Sequence, residues 1–373
     1  MIAVTPEPFF QWHKFLLFIT DRCNLVCKMC PIILNDPKAR TRSTLPAEMA
    51  FQAAEFAKRR GFKEIEVAGG EATVVPYFWE LLGKLCECDA EVRLVTNGLM
   101  TTDEHIAEYK KYPNLQVQIS IDGTNEIHDT IRGVKGGFKR SVNTLERMGA
   151  AGIPRISLNT VVQRTNWFDM INTYEALKHL PYLYHAFSIV EEAEAPLEVI
   201  PREDLNNAFD VLREVRRRGA IDGKDVILSE ELLQAYYVRM RTPRFLMHPG
   251  RDCTCVRKQV VVWIDGRVMP CFHMKWDEGH EWELHSKTMD EIVDSPGYRQ
   301  AVERAIGKNG CTGCSTMCYN WDSEFREKVM NPGLQKTARK KIALSKEYIR
   351  DNHPGLFGAA RRLRQSIKGT AAS

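Results

Sequence analysis

Apolar and polar positions alternate along most of the chain in two periods. Short β-rich runs with two-residue alternation fall at 15–20, 64–68, 92–96, 116–121, 156–162 and 186–190, and each is followed by a stretch with helical spacing. Those stretches are 46–60, 76–85, 103–109, 138–150, 167–180 and 202–218. Six β/α units in a row predict a parallel sheet with right-handed crossovers, hence an α/β fold. A complete eight-unit barrel needs two more units, and the pattern instead changes after about residue 242, so the expectation is a partial (β/α)6 TIM-like barrel over 1–245.

Beyond that point the texture is different. Residues 259–264 and 267–270 flank Asp265-Gly266 and read as a β-hairpin, followed by short helical pieces at 288–293 and 297–306. With little apolar periodicity of its own, 246–330 is expected to be a small domain held together by a metal centre. The last segment, 331–373, reads as a basic helical tail: from Pro332 onward it carries ten Lys or Arg against Glu347 and Asp351, a net of +8. The formal +4 of the whole 373-residue chain therefore hides a body at −4. Leu356, Phe357, Ala360, Leu363 and Ile367 lie at helical spacing beside Arg361, Arg362 and Arg364, which allows peripheral membrane contact or an acidic partner. A solvated basic helix is the plainer alternative. No apolar run reaches a membrane-spanning length and no aromatic-interleaved basic patch points to nucleic acid, so the expected location is cytoplasmic.

In a reducing compartment the eleven cysteines become the feature to explain, because clustered thiols there act as metal ligands or reactive groups. Cys23, Cys27 and Cys30 place three thiols within eight residues, directly after the first predicted strand, where α/β folds put their chemistry. Three cysteines with no nearby histidine in the loop fit an iron–sulfur cluster with an open iron better than a closed four-ligand zinc site. Cys86 and Cys88 flank a helix end and are expected to be structural. Cys253, Cys255, Cys271, Cys311, Cys314 and Cys318 form a third group.

The C-x3-C-x2-C of Cys23, Cys27 and Cys30, followed by Gly69-Gly70-Glu71 after the second strand, resembles the radical S-adenosylmethionine (radical SAM) superfamily. Thr96-Asn97-Gly98, Ser120-Ile121-Asp122-Gly123, His128-Asp129-Thr130-Ile131-Arg132-Gly133 and Asn159 continue the likeness toward its SPASM/twitch branch, over about residues 14–325. The resemblance implies that Cys23, Cys27 and Cys30 hold a [4Fe–4S] cluster whose open iron chelates S-adenosyl-L-methionine. It implies that Gly69, Gly70 and Glu71 meet the methionine amino group, the glycines letting backbone approach the ligand closely. Asn97, Ser120, Asp122 and Asn159 would also line the cosubstrate, and Arg132 would face its carboxylate. Asp122-Gly123 as a mere turn and Arg132 as an ion pair are the competing readings. Two departures from the family pattern are visible: Ala72 stands where proline commonly follows, and Met29 where an aromatic often precedes the last cysteine.

Cys255-x10-Gly266-x4-Cys271 resembles the opening of a SPASM domain, and Cys311-x2-Cys314-x3-Cys318 a shortened form of its close. Six thiols cannot fill two four-cysteine clusters. The resemblance therefore implies a twitch domain with one auxiliary [4Fe–4S] cluster, held by Cys271, Cys311 and Cys314 with Cys253 or Cys255, Cys318 competing. A zinc ribbon is the alternative here, and a zinc-binding scaffold is the non-enzyme alternative for the whole chain.

The reaction implied is reductive cleavage of S-adenosylmethionine to a 5′-deoxyadenosyl radical that abstracts hydrogen from an unactivated carbon, with the electron supplied by a flavodoxin or ferredoxin. The expectation is a dehydrogenase-type oxidoreductase acting on a small molecule, a sugar, cyclitol or lipid-linked carbon, with the auxiliary cluster taking the second electron. Epimerisation, with Cys255 or Cys318 returning a hydrogen atom, is the first alternative. Peptide maturation is the second, ranked lower because the cluster motif begins at residue 23, short of the extra domain of about 80 residues that peptide-modifying relatives carry.

Overall fold

The computed structural model describes residues 9–30, 32, 43–190, 195–228, 255–271 and 282–306. Eight of its strands run parallel, and the ninth is antiparallel to its one neighbour. The chain order is β1 (Lys14–Phe18), α1 (Ala47–Arg60), β2 (Glu64–Ala68), α2 (Phe78–Cys86), β3 (Glu91–Thr96), α3 (Asp103–Tyr109) and β4 (Leu115–Ser120). Two helices, α4 (Asn125–Arg132) and α5 (Gly137–Ala150), precede β5 (Ile156–Val162), which α6 (Met170–Leu177) joins to β6 (Tyr184–Ile189). Then come α7 (Leu205–Asp222), β7 (Asp225–Ile227), β8 (Gln259–Val262), β9 (Val268–Met269), α8 (Met289–Val293) and α9 (Pro296–Ile306).

The sheet order is β7-β6-β5-β4-β3-β2-β1-β8-β9. The six predicted β/α units are present, and the architecture is that of a partial TIM-like barrel. Three features differ from the sequence reading. A seventh parallel strand, β7, extends the far edge beside β6, too short and too exposed to show as a pattern. Helix α4 occupies the segment that the motif His128–Gly133 filled. The hairpin expected in a separate domain joins the main sheet instead: β8 lies parallel to β1, with Leu16 opposite Val261, and β9 turns back on β8. The tail at 331–373 and residues 229–254 lie outside the described residues.

The sheet has two unlike faces. Phe15, Leu17, Ile65, Val67, Val92, Leu94, Val117 and Ile119 point to the helices and are wholly buried with Phe56, Leu81 and Leu145 in the main core. The opposite face is polar at its amino end, where Lys14 Nζ and Arg93 Nη1 approach Glu66 Oε2 at 3.1 and 3.4 Å. At the β1–β8 seam it is apolar, with Leu16, Val261 and Met269 clustered beside Phe18 and Trp263. Alternation puts the inward chain of each strand on one face, so a single-residue slip would exchange core for charge.

Because β8 completes one edge of the barrel, the hairpin and the β/α units should unfold together. Met269→Ala, which empties a buried site at that seam, is expected to cost about 2–5 kcal/mol. In urea, Trp263 fluorescence and far-UV circular dichroism should shift by the same amount. Two separated transitions would show the hairpin to be an independent unit.

Candidate functional site

The cysteine loop follows β1 at the carboxyl end of the parallel strands. Its burial alternates: Leu25, Cys27 and Met29 are buried, whereas Val26 and Lys28 are exposed. The buried set packs with Ile131, Val190 and Ala195, and partly buried Cys30, Leu99 and Val134 close the cluster. An apolar seat thus fixes a loop that local propensity alone would leave free.

Three contacts lock the loop from neighbouring strand ends. The first comes from Gly69 and Gly70, after β2. The Gly70 and Glu71 amides donate to Thr20 O at 2.6 Å and Arg22 O at 2.8 Å. A Cβ at Gly69 would stand 2.4 Å from Thr20 O, and one at Gly70 2.3 Å from Arg22 O, while Gly69 adopts φ +146°. The two glycines are therefore required by the close approach of the chain to its own cysteine loop, a reason distinct from approach to a ligand. The second contact comes from β3, where Asn97 Nδ2 donates to Asn24 Oδ1 at 2.8 Å. The third comes from α4, whose Ile131 carbonyl accepts from the Lys28 amide at 2.9 Å. Gly133, which ends that helix at φ +69°, leaves no room for a side chain beside Val26.

Behind the loop lies a buried polar layer. Glu71, 1% exposed, accepts from the Thr73 and Thr96 hydroxyls at 2.8 Å each and from the Asn97 amide at 2.9 Å. Burial raises its pKa, and those donors oppose the rise. Its carboxylate ties the ends of β2 and β3 together, so it supports the site from beneath. Arg132 and Asp122 are both buried and form an ion pair, Nε to Oδ2, at 2.6 Å. Arg132 Nη1 also lies 3.7 Å from Cys27 Sγ, and Asp122 Oδ1 accepts from the Val161 amide at 2.8 Å. Arg132 thus makes a buried ion pair, and its guanidinium also reaches the cysteine loop. Burial pushes the Cys27 thiol up, and the Arg132 charge pulls it down.

Of the remaining expected residues, Ser120 and Asn159 sit opposite each other in register on β4 and β5, and Asn159 Oδ1 accepts from the exposed Ser188 hydroxyl at 3.1 Å. Buried Ser120, half-buried Asn159 and exposed Ser188 form a polar row on the sheet's second face. Cys86 and Cys88 end α2 away from the loop, and Cys88 is buried in the main core, as structural cysteines should be. Cys271 is buried. Cys253, Cys311, Cys314 and Cys318 lie outside the described residues, and Cys255 is placed only by its backbone, in a short 3-10 turn.

Several supporting residues escaped the sequence reading. Asn24 is the loop's own tether. His128 Nδ1 accepts the Asp122 amide at 3.1 Å. Asp129 accepts from the Gly136 and Phe138 amides, and Asp169 takes the Thr124 amide and hydroxyl at 2.7 and 2.9 Å. Asn166 Nδ2 donates to the carbonyls of Asp122 and Val161, each at 2.9 Å. Only the His-Asp pair inside the motif hinted at any of these.

The donor set fits an iron–sulfur centre: three soft thiols on one loop, Cys27 beside a cation that favours thiolate, and Cys27 and Cys30 seated against apolar side chains. Among the described residues no three His, Cys, Asp or Glu side chains converge as a single metal ion requires.

Residues 17–177 match the family described as the radical SAM superfamily. The sporulation killing factor maturation protein SkfB of Bacillus subtilis is 34% identical over 145 residues, 39% of this chain and 35% of that protein. The mycofactocin maturase MftC of Mycolicibacterium smegmatis is 32% identical over 160 residues, 43% of this chain and 40% of that one. The chain thus spans 35–40% of the length of these relatives. Among solved structures, Streptococcus suis SuiB bound to S-adenosylmethionine superimposes with TM-score 0.64 at 15% identity, covering 81% of this chain and 73% of that one. This likeness is one of fold.

Two predictions follow from the buried layer. Arg132→Gln leaves Asp122 charged and unpaired, and is expected to cost about 3–5 kcal/mol in chemical denaturation. His128 must be unprotonated to accept the Asp122 amide, and burial lowers its pKa from 6.5 to about 3. A group whose folded pKa is depressed is fully stabilising above pH 6.5, and that stability is lost as pH falls from there toward 3. The thermal midpoint should therefore fall with acidification more steeply in the wild type than in His128→Asn, whose amide oxygen accepts at any pH.

Proposed function

We propose that this chain, whose residues 17–177 match the radical SAM superfamily, is a peptide-modifying maturase. The observation that carries the reading is that SkfB and MftC, whose names describe maturation, are 34% and 32% identical to this chain over 145 and 160 residues. The subtilosin biosynthesis protein AlbA of Bacillus subtilis, 32% identical over 152 residues, supports it. The expected preference for a sugar, cyclitol or lipid-linked carbon loses its footing. It rested on the twitch-type cysteine pattern and on where the cluster motif falls in the chain, and these relatives favour a peptide substrate over it. Oxidation of a small molecule is therefore replaced by modification of a peptide.

In this reading Cys23, Cys27 and Cys30 hold the [4Fe–4S] cluster, which when bound supplies the reductive cleavage of S-adenosylmethionine. The chain's own residues prepare the place. Arg132 offsets negative charge gathered at Cys27. Gly69 and Gly70 keep the loop pressed on the ends of β1 and β2. Glu71 and Asn97 brace the adjoining strand ends, so the thiols cannot drift apart while ligand exchanges. Ser120, Asn159 and Ser188 offer hydroxyl and amide groups on the sheet's second face, where a peptide's own amides can be hydrogen-bonded.

The auxiliary cluster of the C-terminal cysteines belongs to the same proposal, with Cys271 as its one described side chain. Iron should fall by about four atoms per chain in a Cys23/Cys27/Cys30 triple alanine variant, leaving the iron bound by the C-terminal cysteines. With dithionite as reductant, the wild type should form 5′-deoxyadenosine and the variant none. A panel of ribosomal precursor peptides should raise that yield and show mass loss or cross-linking. Stimulation by cyclitols or sugars, with no response to any peptide, would overturn the reading.

A further inference from the structure

The cysteine loop shows solvent a second, unused surface. Val26 and Lys28 project from the side of the loop opposite the buried Leu25, Cys27 and Met29, and Val26 is 45% exposed. Met100, also 45% exposed, follows Leu99, which packs on the same cluster as Cys27 and Met29. Around this apolar centre stand Lys28, Lys135, Lys139 and Arg140, all exposed. Adjacency is fixed by contacts: Val26 lies against Gly133, the Lys28 amide bonds Ile131, and Arg140 Nη2 donates to Leu99 O at 3.1 Å.

The charge is one-sided. Among the described residues Lys28, Lys135, Lys139 and Arg140 form no ion pair. The neighbouring carboxylates are committed elsewhere: Asp129 accepts the Gly136 and Phe138 amides, and Asp103 pairs with Arg147. Glu126 stands at the far end of α4. An apolar centre ringed by four cations, at the back of a thiol-bearing loop, suits a protein with an acidic rim around an exposed redox group.

We propose that this patch, Val26 and Met100 ringed by Lys28, Lys135, Lys139 and Arg140, docks an acidic one-electron carrier protein that reduces the centre held by Cys23, Cys27 and Cys30. The inference rests on the radical SAM reading above. The carrier is oxidised by one electron, and that electron is the one consumed when the sulfonium carbon–sulfur bond of S-adenosylmethionine breaks. Placement favours a carrier over a peptide. A substrate has to reach the sheet's second face at Ser120, Asn159 and Ser188, whereas an electron need only arrive from behind the loop, where Val26 and Lys28 flank Cys27.

The test uses the full, cluster-loaded chain, with flavodoxin as the probe. Lys135→Glu/Lys139→Glu should weaken flavodoxin binding about tenfold in biolayer interferometry at low salt, and raising salt should weaken the wild type in the same direction. Flavodoxin-driven formation of 5′-deoxyadenosine should fall in parallel, while dithionite-driven formation stays at the wild-type level. Unchanged flavodoxin binding would overturn the proposal, as would loss of affinity for a precursor peptide with flavodoxin binding intact. Equal loss with both reductants would overturn it too, by assigning the patch to the fold. Absence of dithionite-driven cleavage in the wild type would instead reject the radical SAM reading on which the proposal rests.

Discussion

Two lengths of backbone pressed together at the carboxyl ends of β1 and β2 set the terms for everything around them. The chain at Gly69 and Gly70 meets the chain at Thr20–Arg22 at distances that no Cβ could share. That approach fixes where the cysteine loop leaves the sheet, and hence where three thiols can be. The other tethers, Asn97 to Asn24 and Ile131 to Lys28, hold a loop whose starting point is already decided. Beneath them the buried pair of Asp122 and Arg132 is costly to hold out of water and strongly destabilising to break, so it gives the layer one geometry.

The division of labour between residues that bind and residues that brace shifts accordingly. Glu71 and Arg132 are the charged groups one would first assign to a ligand's ammonium and carboxylate. Each also makes several contacts within the protein, and each links two strand ends or a strand end and the loop. Beside them runs an uncharged row of buried Ser120, half-buried Asn159 and exposed Ser188.

Much of the fold was legible in the sequence because alternation reports burial directly. The strands from β1 to β6 lie within about two residues of the runs that predicted them. Helix α4 was overlooked because its eight residues carry a motif that draws the eye to chemistry. Strand β7, three residues at an exposed edge, has no pattern to show. The thiols of the first loop were plain from spacing, but the role of the glycines was not, since a sequence cannot say which backbone will lie against which. The hairpin's turn could be read at Asp265-Gly266, yet its partner could not. Pairing between β1 and β8 is a property of the folded sheet and leaves no local mark.

That pairing has a consequence for how the molecule is made. β1 leaves the ribosome before β2 to β7, and β8 begins at Gln259, long after they are available. Until then β1 has a neighbour on one side only, and its other edge presents unpaired amides and carbonyls above Leu16 and Phe18. Such an edge invites pairing with other chains. The nascent protein therefore carries its aggregation hazard in the same strand that launches the cysteine loop, and completion of the sheet removes both the hazard and the loop's freedom at once.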